Sequence, residues 1–212
     1  MSALNPEKAL IFRITHVANV PWVLDHGLHC RNSPHFDPNF RSIGNPDLIS
    51  RRHHRVVPVP PGGTLSDYVP FYFTPYSIML YNIKTGYGGV LRVPNDEIVI
   101  LVSSLRKVAE LGIGFAFTNQ HAYPLSAEYF NTLDDLGRVD WPLLQARNFR
   151  HDPEDPGKKE RYQAEALVHR HLPISGLLGI GCHSAAVQQG LQAELQRRNL
   201  SLQVVARPGW YF

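Results

Sequence analysis

The stretch Glu97-Ile-Val-Ile-Leu-Val-Ser103 constrains the fold more than any other part of this chain. Its centre is an unbroken run of branched aliphatic residues, the pattern of a fully buried strand rather than a half-exposed one. A chain of 212 residues is long enough to bury such a strand without disulfides or metals. One domain over residues 1–212 is therefore expected. Hydrophobic residues at 43% and charged residues at 18% fit a soluble globular class.

Around this strand the elements are irregularly ordered. Residues 9–15, 68–74, 115–117 and 202–206 read as further strands, and 177–181 is short and apolar. Residues 20–28, 47–55, 77–83 and 185–198 have helical spacing, with Asn45 or Asp47 as the cap of the second helix. Residues 31–46, 119–127 and 149–159 are rich in loop formers, and 132–140 is acidic and turn-prone. Residues 160–168 fit either a strand or a helix. Strands and helices do not alternate, which disfavours a doubly wound sheet and predicts an α+β fold.

Several function classes are excluded at this level. No GxGxxG follows a strand and no Walker loop is present, so a bound nucleotide must be held by another device. No apolar run approaches the roughly 18 residues of a membrane span, and residues 1–12 lack the layout of a signal peptide. A cytoplasmic protein with no membrane partner is expected. Cys30 and Cys182 lie far apart in no metal-ligand spacing and read as reduced thiols. His169 and His171 would share a face on a strand and could bind zinc, but no further ligand is placed near them, so no metal is expected.

The net charge of +3 is concentrated. Arg51, Arg52, His53, His54 and Arg55 form one basic block, and Lys158, Lys159 and Arg161 another. Such blocks suit phosphate, because arginine presents a rigid fork of donors. The aromatic density of Tyr68-Val-Pro-Phe-Tyr-Phe73, continuing to Tyr76 and to Met79-Leu-Tyr81, could wall a flat ring. Glu165 follows a polar loop, and on a strand it would share a face with Gln163, where the pair could hold a sugar hydroxyl and accept a proton. His16 closes the first strand and could donate to a ribose.

These pieces together resemble the DarT family of DNA ADP-ribosyltransferases. The resemblance is carried by Arg13-Ile-Thr-His16 with Asn19, by Ile43-Gly44 with Ile49 and Arg51-Arg52, by Gly63-Thr-Leu-Ser-Asp-Tyr-Val-Pro-Phe-Tyr-Phe73 with Ser77 and Met79-Leu-Tyr81, and by Tyr162-Gln-Ala-Glu165 with Leu167-Val168. It implies an ADP-ribosyltransferase fold, a split mixed sheet flanked by helices with NAD in its cleft. It implies Glu165 and Arg51 as catalytic residues, and His16, Asn19, Gly44, Arg51, Tyr72, Tyr76 and Met79 around NAD. His121, Tyr123, Arg52 and Lys159 would face single-stranded DNA. The implied activity is transfer of ADP-ribose from NAD to a DNA base, thymine N3 in particular, by a toxin whose partner is a macrodomain antitoxin that removes the mark. The competing expectations are transfer to RNA or protein, and a nucleic-acid-binding module without catalysis.

Overall fold

Strand β4 (Ile98–Ser104) lies inside an eight-stranded sheet of order β10-β9-β4-β1-β3-β7-β5-β6. The computed structural model describes residues 4–212, so the first three residues of the segment read above for a leader lie outside it. The other strands of this sheet are β1 (Leu10–His16), β3 (Tyr68–Tyr72), β5 (Phe115–Thr118), β6 (Tyr129–Phe130), β7 (Glu165–His169), β9 (Gly179–Cys182) and β10 (Gln203–Ala206). Two short strands, β2 (Leu28–His29) and β8 (His171–Leu172), pair apart from it. Helices α1 (Val20–His26), α2 (Pro46–Arg51), α3 (Ile78–Thr85), α4 (Leu105–Glu110), α5 (Trp141–Ala146), α6 (Lys158–Arg161) and α7 (Ala185–Arg197) complete the α+β arrangement.

The aliphatic run behaves as its alternation demands. Val99 and Leu101 join one core with Ile11, Phe71 and Ala166, whereas Ile98 and Ile100 join a second core with Phe12 and Ile14. Both faces of β4 are thereby covered. The sheet is mixed. β9 and β10 run parallel through the crossover helix α7, and the other paired strands are antiparallel.

The shortest ladder of this sheet joins β1 and β3. β1 meets β3 only at Phe12↔Tyr72, although β1 forms a seven-pair ladder with β4 on its other side. Pro70 has no N–H to contribute to a ladder, and its carbonyl instead accepts from the Arg13 guanidinium at 2.9 Å. The sheet splits at this point.

Local capping follows the sequence closely. Asn45 accepts from the Leu48 N–H at the start of α2, and Ser77 accepts from the Leu80 N–H at the start of α3. Three expectations change. The basic segment is not one helix: α2 ends at Arg51 and a 3₁₀ turn, Arg52–His54, continues it. Residues 160–168 are both helix and strand, because α6 ends at Arg161 and β7 begins at Glu165 after a turn. Gln163 therefore sits in that turn rather than on the strand. Arg170, at φ 61°, separates β7 from β8, and the HxH pair parts company: the ring of His169 lies against Tyr68 and that of His171 stacks on His29.

Candidate active site

Where β1 and β3 part, a cavity of about 190 Å³ opens, lined by Arg13, Thr15, Ile43, Gly44, Ile49, Arg52, Tyr72, Met79, His121, Gln163 and Glu165 among others. A second cavity of about 110 Å³ shares Arg13, Phe40, Ser42, Ile49, Arg52 and Pro70 with it. The two form a cleft of two lobes, with both guanidiniums at the shared wall.

Glu165 is the first residue of β7 and is only 2% exposed. Its register partner on β3 is Tyr72. One carboxylate oxygen, Oε2, accepts from Arg52 Nη1 at 2.9 Å. The other, Oε1, accepts from the Ala122 N–H at 3.0 Å and lies 4.0 Å from His121 Nε2. Burial alone would raise this carboxyl's pKa, but Arg52, then His121 and the Ala122 N–H outweigh it and hold the group below the usual carboxylate range. Glu165 is thus ionised at neutral pH, fixed at both oxygens.

The loop bearing His121 and Ala122 is itself tied down. The Ala122 carbonyl accepts from the buried Tyr129 hydroxyl, and the Pro124 carbonyl accepts from Arg55 Nη2 at 3.0 Å. Thr118, paired with Tyr129 across β5 and β6, accepts the backbone N–H of Glu165 at 3.1 Å. The backbone of Ala122 is thus held on both sides of its Cα, at the N–H by Glu165 and at the carbonyl by Tyr129.

Two guanidiniums, of Arg13 and Arg52, line the same cavity. Burial, reinforced by Arg52, lowers the pKa of Arg13 to about 10, with Tyr72 opposing. Arg13 Nε and Arg52 Nη2 are buried N–H groups with no protein partner. Buried donors left unpaired are costly, and two cations against one carboxylate leave this wall with net positive charge. The arrangement suits a polyanion such as a diphosphate. Tyr72 supplies a phenol whose pKa burial pushes well up, and its hydroxyl is 3.8 Å from Met79 Sδ.

Of the residues singled out from the sequence, Gly44, Arg52, Tyr72, Met79, His121 and Glu165 meet in this cavity, and Gln163 joins them from its turn. Others do not line it. Arg51 is exposed at the end of α2, one residue before the arginine that turns inward. His16 is buried, with Nε2 at 3.0 Å from Glu97 Oε2 and Nδ1 accepting from the Ala18 N–H. Asn19 bonds Thr15 Oγ1 and both backbone polar groups of Arg41. Tyr76 packs on Phe212 at 3.9 Å between ring centroids, with Arg147 above its ring. Tyr123 is half-buried outside the wall and Lys159 is exposed. Arg13 lines the cavity without being a candidate from the sequence, since nothing in the sequence says that its strand borders a split.

Among the described residues no cluster of three or more His, Cys, Asp or Glu could hold a metal ion, and no helix is long and apolar enough to cross a membrane.

A buried Glu–Arg pair at the mouth of a split sheet, beside unpaired guanidinium donors, defines a transferase of the ADP-ribosyl class once its relatives are considered. A DNA ADP-ribosyl transferase of Escherichia coli O127:H6 is 56% identical over 211 residues, covering 100% of this chain and 97% of that protein. The structure of Thermus sp. 2.9 DarT in complex with ADP-ribosylated ssDNA superposes with a TM-score of 0.90 at 34% identity over the full length of both chains. The same Thermus protein in complex with NAD+ matches with a TM-score of 0.83 at 36% identity, over 98% of this chain and 99% of that one. Residues 12–212 match the family described as ssDNA thymidine ADP-ribosyltransferase, DarT, and the chain belongs to that family.

Proposed function

We propose that this chain, acting as one domain over residues 1–212, moves ADP-ribose from NAD to thymine N3 in single-stranded DNA within the cavity around Glu165. One observation carries the reading: a buried, ionised carboxylate held by Arg52 and the Ala122 N–H, next to two buried guanidinium donors that the protein leaves unpaired. A two-lobed cleft with cations at its waist fits a dinucleotide whose diphosphate bridges the lobes. Arg13 and Arg52 would hold that diphosphate, and Tyr72, Met79 and Gly44 would form the wall beside nicotinamide. His16 and Asn19 would act indirectly, Asn19 by holding the backbone of Arg41.

In the reaction the ribose C1′–nicotinamide bond breaks and a C1′–N3 bond forms. Nicotinamide leaves neutral, taking the electron pair of the broken bond, and the N3 proton is released. Because the nicotinamide ring is a cationic pyridinium while bound to C1′ and becomes neutral on leaving, it departs without a metal to activate it. The ionised Glu165 would stabilise positive charge growing at C1′. N3–H is a weak acid before attack and a strong one after alkylation, so a carboxylate of low pKa can receive the proton late in the step. His121 and Tyr123 on the clamped loop, with Lys159 on α6, whose Glu160 carbonyl accepts from the His121 N–H at 2.9 Å, would face the DNA. The exposed pairing edge of an unpaired thymine avoids the few kcal/mol needed to unpair and unstack a base from a duplex.

The resemblance also supports a cytoplasmic toxin paired with a macrodomain antitoxin that removes the mark. The test is mass analysis of thymidine-containing oligonucleotides after incubation with NAD. Glu165→Gln should lower transfer by roughly 10²–10⁴-fold, with NAD affinity little changed. Transfer to RNA or protein in place of DNA, or undiminished turnover in Glu165→Gln, would overturn the reading.

A further inference from the structure

On the rim of the cavity, the segment Gly86-Tyr87-Gly88-Gly89 closes α3 with three glycines at φ 74°, 67° and 74°. Side chains at Gly88 and Gly89 would meet nothing within 4 Å, so packing does not demand glycine there. The backbone does, because left-handed φ is strained for other residues. This chain geometry lifts Tyr87 out of the surface, leaving it 61% exposed. The turn is nevertheless fixed at its base: Arg92 Nε donates to the Thr85 carbonyl at 3.0 Å, and the Gly86 N–H donates to Asn82 at 2.8 Å.

Tyr87 lies between Asn82 and Val90 in the chain, and both line the cavity. Its ring is overlaid by the ammonium of Lys159, with Nζ 5.6 Å from the ring centroid. Lys159 belongs to α6, the helix that leads through Gln163 to Glu165. An exposed aromatic ring and a cation thus come together from the two chain segments that flank the cavity. Lys84 and Arg92, both exposed, add positive charge to the same turn.

We propose that Tyr87 is the stacking platform for the base of a nucleotide next to the target thymidine, with Lys159 beside it to meet the strand's phosphate. The inference extends the family's transfer to single-stranded DNA and names a contact outside the cavity. A solvent-exposed aromatic ring costs little to pair with a base, since every base has a π-face, and alanine removal of such a platform has a large effect on single-strand binding. Tyr87 is a positioning residue: it holds the strand, and the chemistry stays with the cavity.

The test uses the full chain, NAD and oligonucleotides with one thymidine, made either intact or with an abasic site at each flanking position in turn. Tyr87→Ala should raise the oligonucleotide KM by about 5- to 150-fold while leaving the NAD KM unchanged. Tyr87→Phe should remain within about twofold of the parent, because the stacking surface is kept. At the stacked position, the abasic substitution should cost the parent protein a similar factor and cost Tyr87→Ala almost nothing more. A rise in the NAD KM would assign the ring to the adenine of NAD and overturn the proposal. So would an unchanged oligonucleotide KM, or equal abasic losses in both proteins at every position. If Tyr87→Ala does not fold, quenching of 2-aminopurine placed at each flanking position decides the matter on the parent and Tyr87→Phe, and absence of quenching at all of them overturns it. Loss of transfer by the parent protein itself would instead strike the reading of the cavity.

Discussion

Replacing Arg52 by alanine removes the guanidinium that pairs with Glu165 at 2.9 Å, where the two side chains are 12% and 3% exposed. Breaking a buried ion pair from one side costs about 3–5 kcal/mol, because a charge remains behind without its partner. Two features place Arg52→Ala near the lower end, at about 3 kcal/mol. The Ala122 N–H still serves Oε1, and the repulsion between Arg13 and Arg52 is relieved. In a chain of this size each kcal/mol shifts the Tm by about 2–4 °C, so a fall of about 6–12 °C is expected. The pH dependence gives a sharper test. In the parent protein Glu165 sits below its unfolded value of about 4.3, so its stabilising effect is complete above that value and fades as pH falls through the lower folded pKa. In Arg52→Ala the upward push of burial has lost its main opponent, and the carboxyl pKa rises. Stability should then increase as pH falls from neutrality towards the unfolded value, the opposite sign to the parent. Thermal or urea denaturation from about pH 3 to about pH 8, a window that spans the unfolded carboxyl value of about 4.3, measures both effects. Arg51→Ala, at an exposed position, should stay within about 0.5 kcal/mol. If Arg51→Ala and Arg52→Ala were equally harmless, or the slope against pH kept its sign, the pair would not hold the carboxylate as argued.

Two further substitutions probe the frame of the site. Tyr129→Phe leaves the Ala122 carbonyl without the buried hydroxyl that donates to it, which should cost about 1–3 kcal/mol in denaturation experiments. By loosening the residue whose N–H bonds Glu165, it should also lower kcat more than it raises either KM. Gly181→Ala places a methyl group about 2.5 Å from Trp210 Cζ3, inside the core that also holds Phe12; it should lose about 1–3 kcal/mol by overpacking, with the kinetic constants of the folded protein unchanged.

The strand through Ile100, the cap of α2 as one of Asn45 and Asp47, and the α+β class were legible in the sequence, because each depends on neighbours a few residues away. Alternation covers both faces of β4, and a side chain of the right type caps the helix that begins beside it. Glu165 was also legible as a candidate, through the polar segment before it and the apolar strand after it. Which arginine meets it was not. Arg51 and Arg52 are adjacent, and only the passage from α2 into the 3₁₀ turn decides which guanidinium enters the cavity. The same holds for His16, whose partner Glu97 lies 81 residues away, and for Tyr76, drawn into a cluster with Phe212 rather than the cleft. Arg13 lines the cavity because Pro70 cannot continue the ladder between β1 and β3. Periodicity and capping are short-range and are written into the chain locally, whereas the direction of a charged side chain is set by which distant strand arrives beside it.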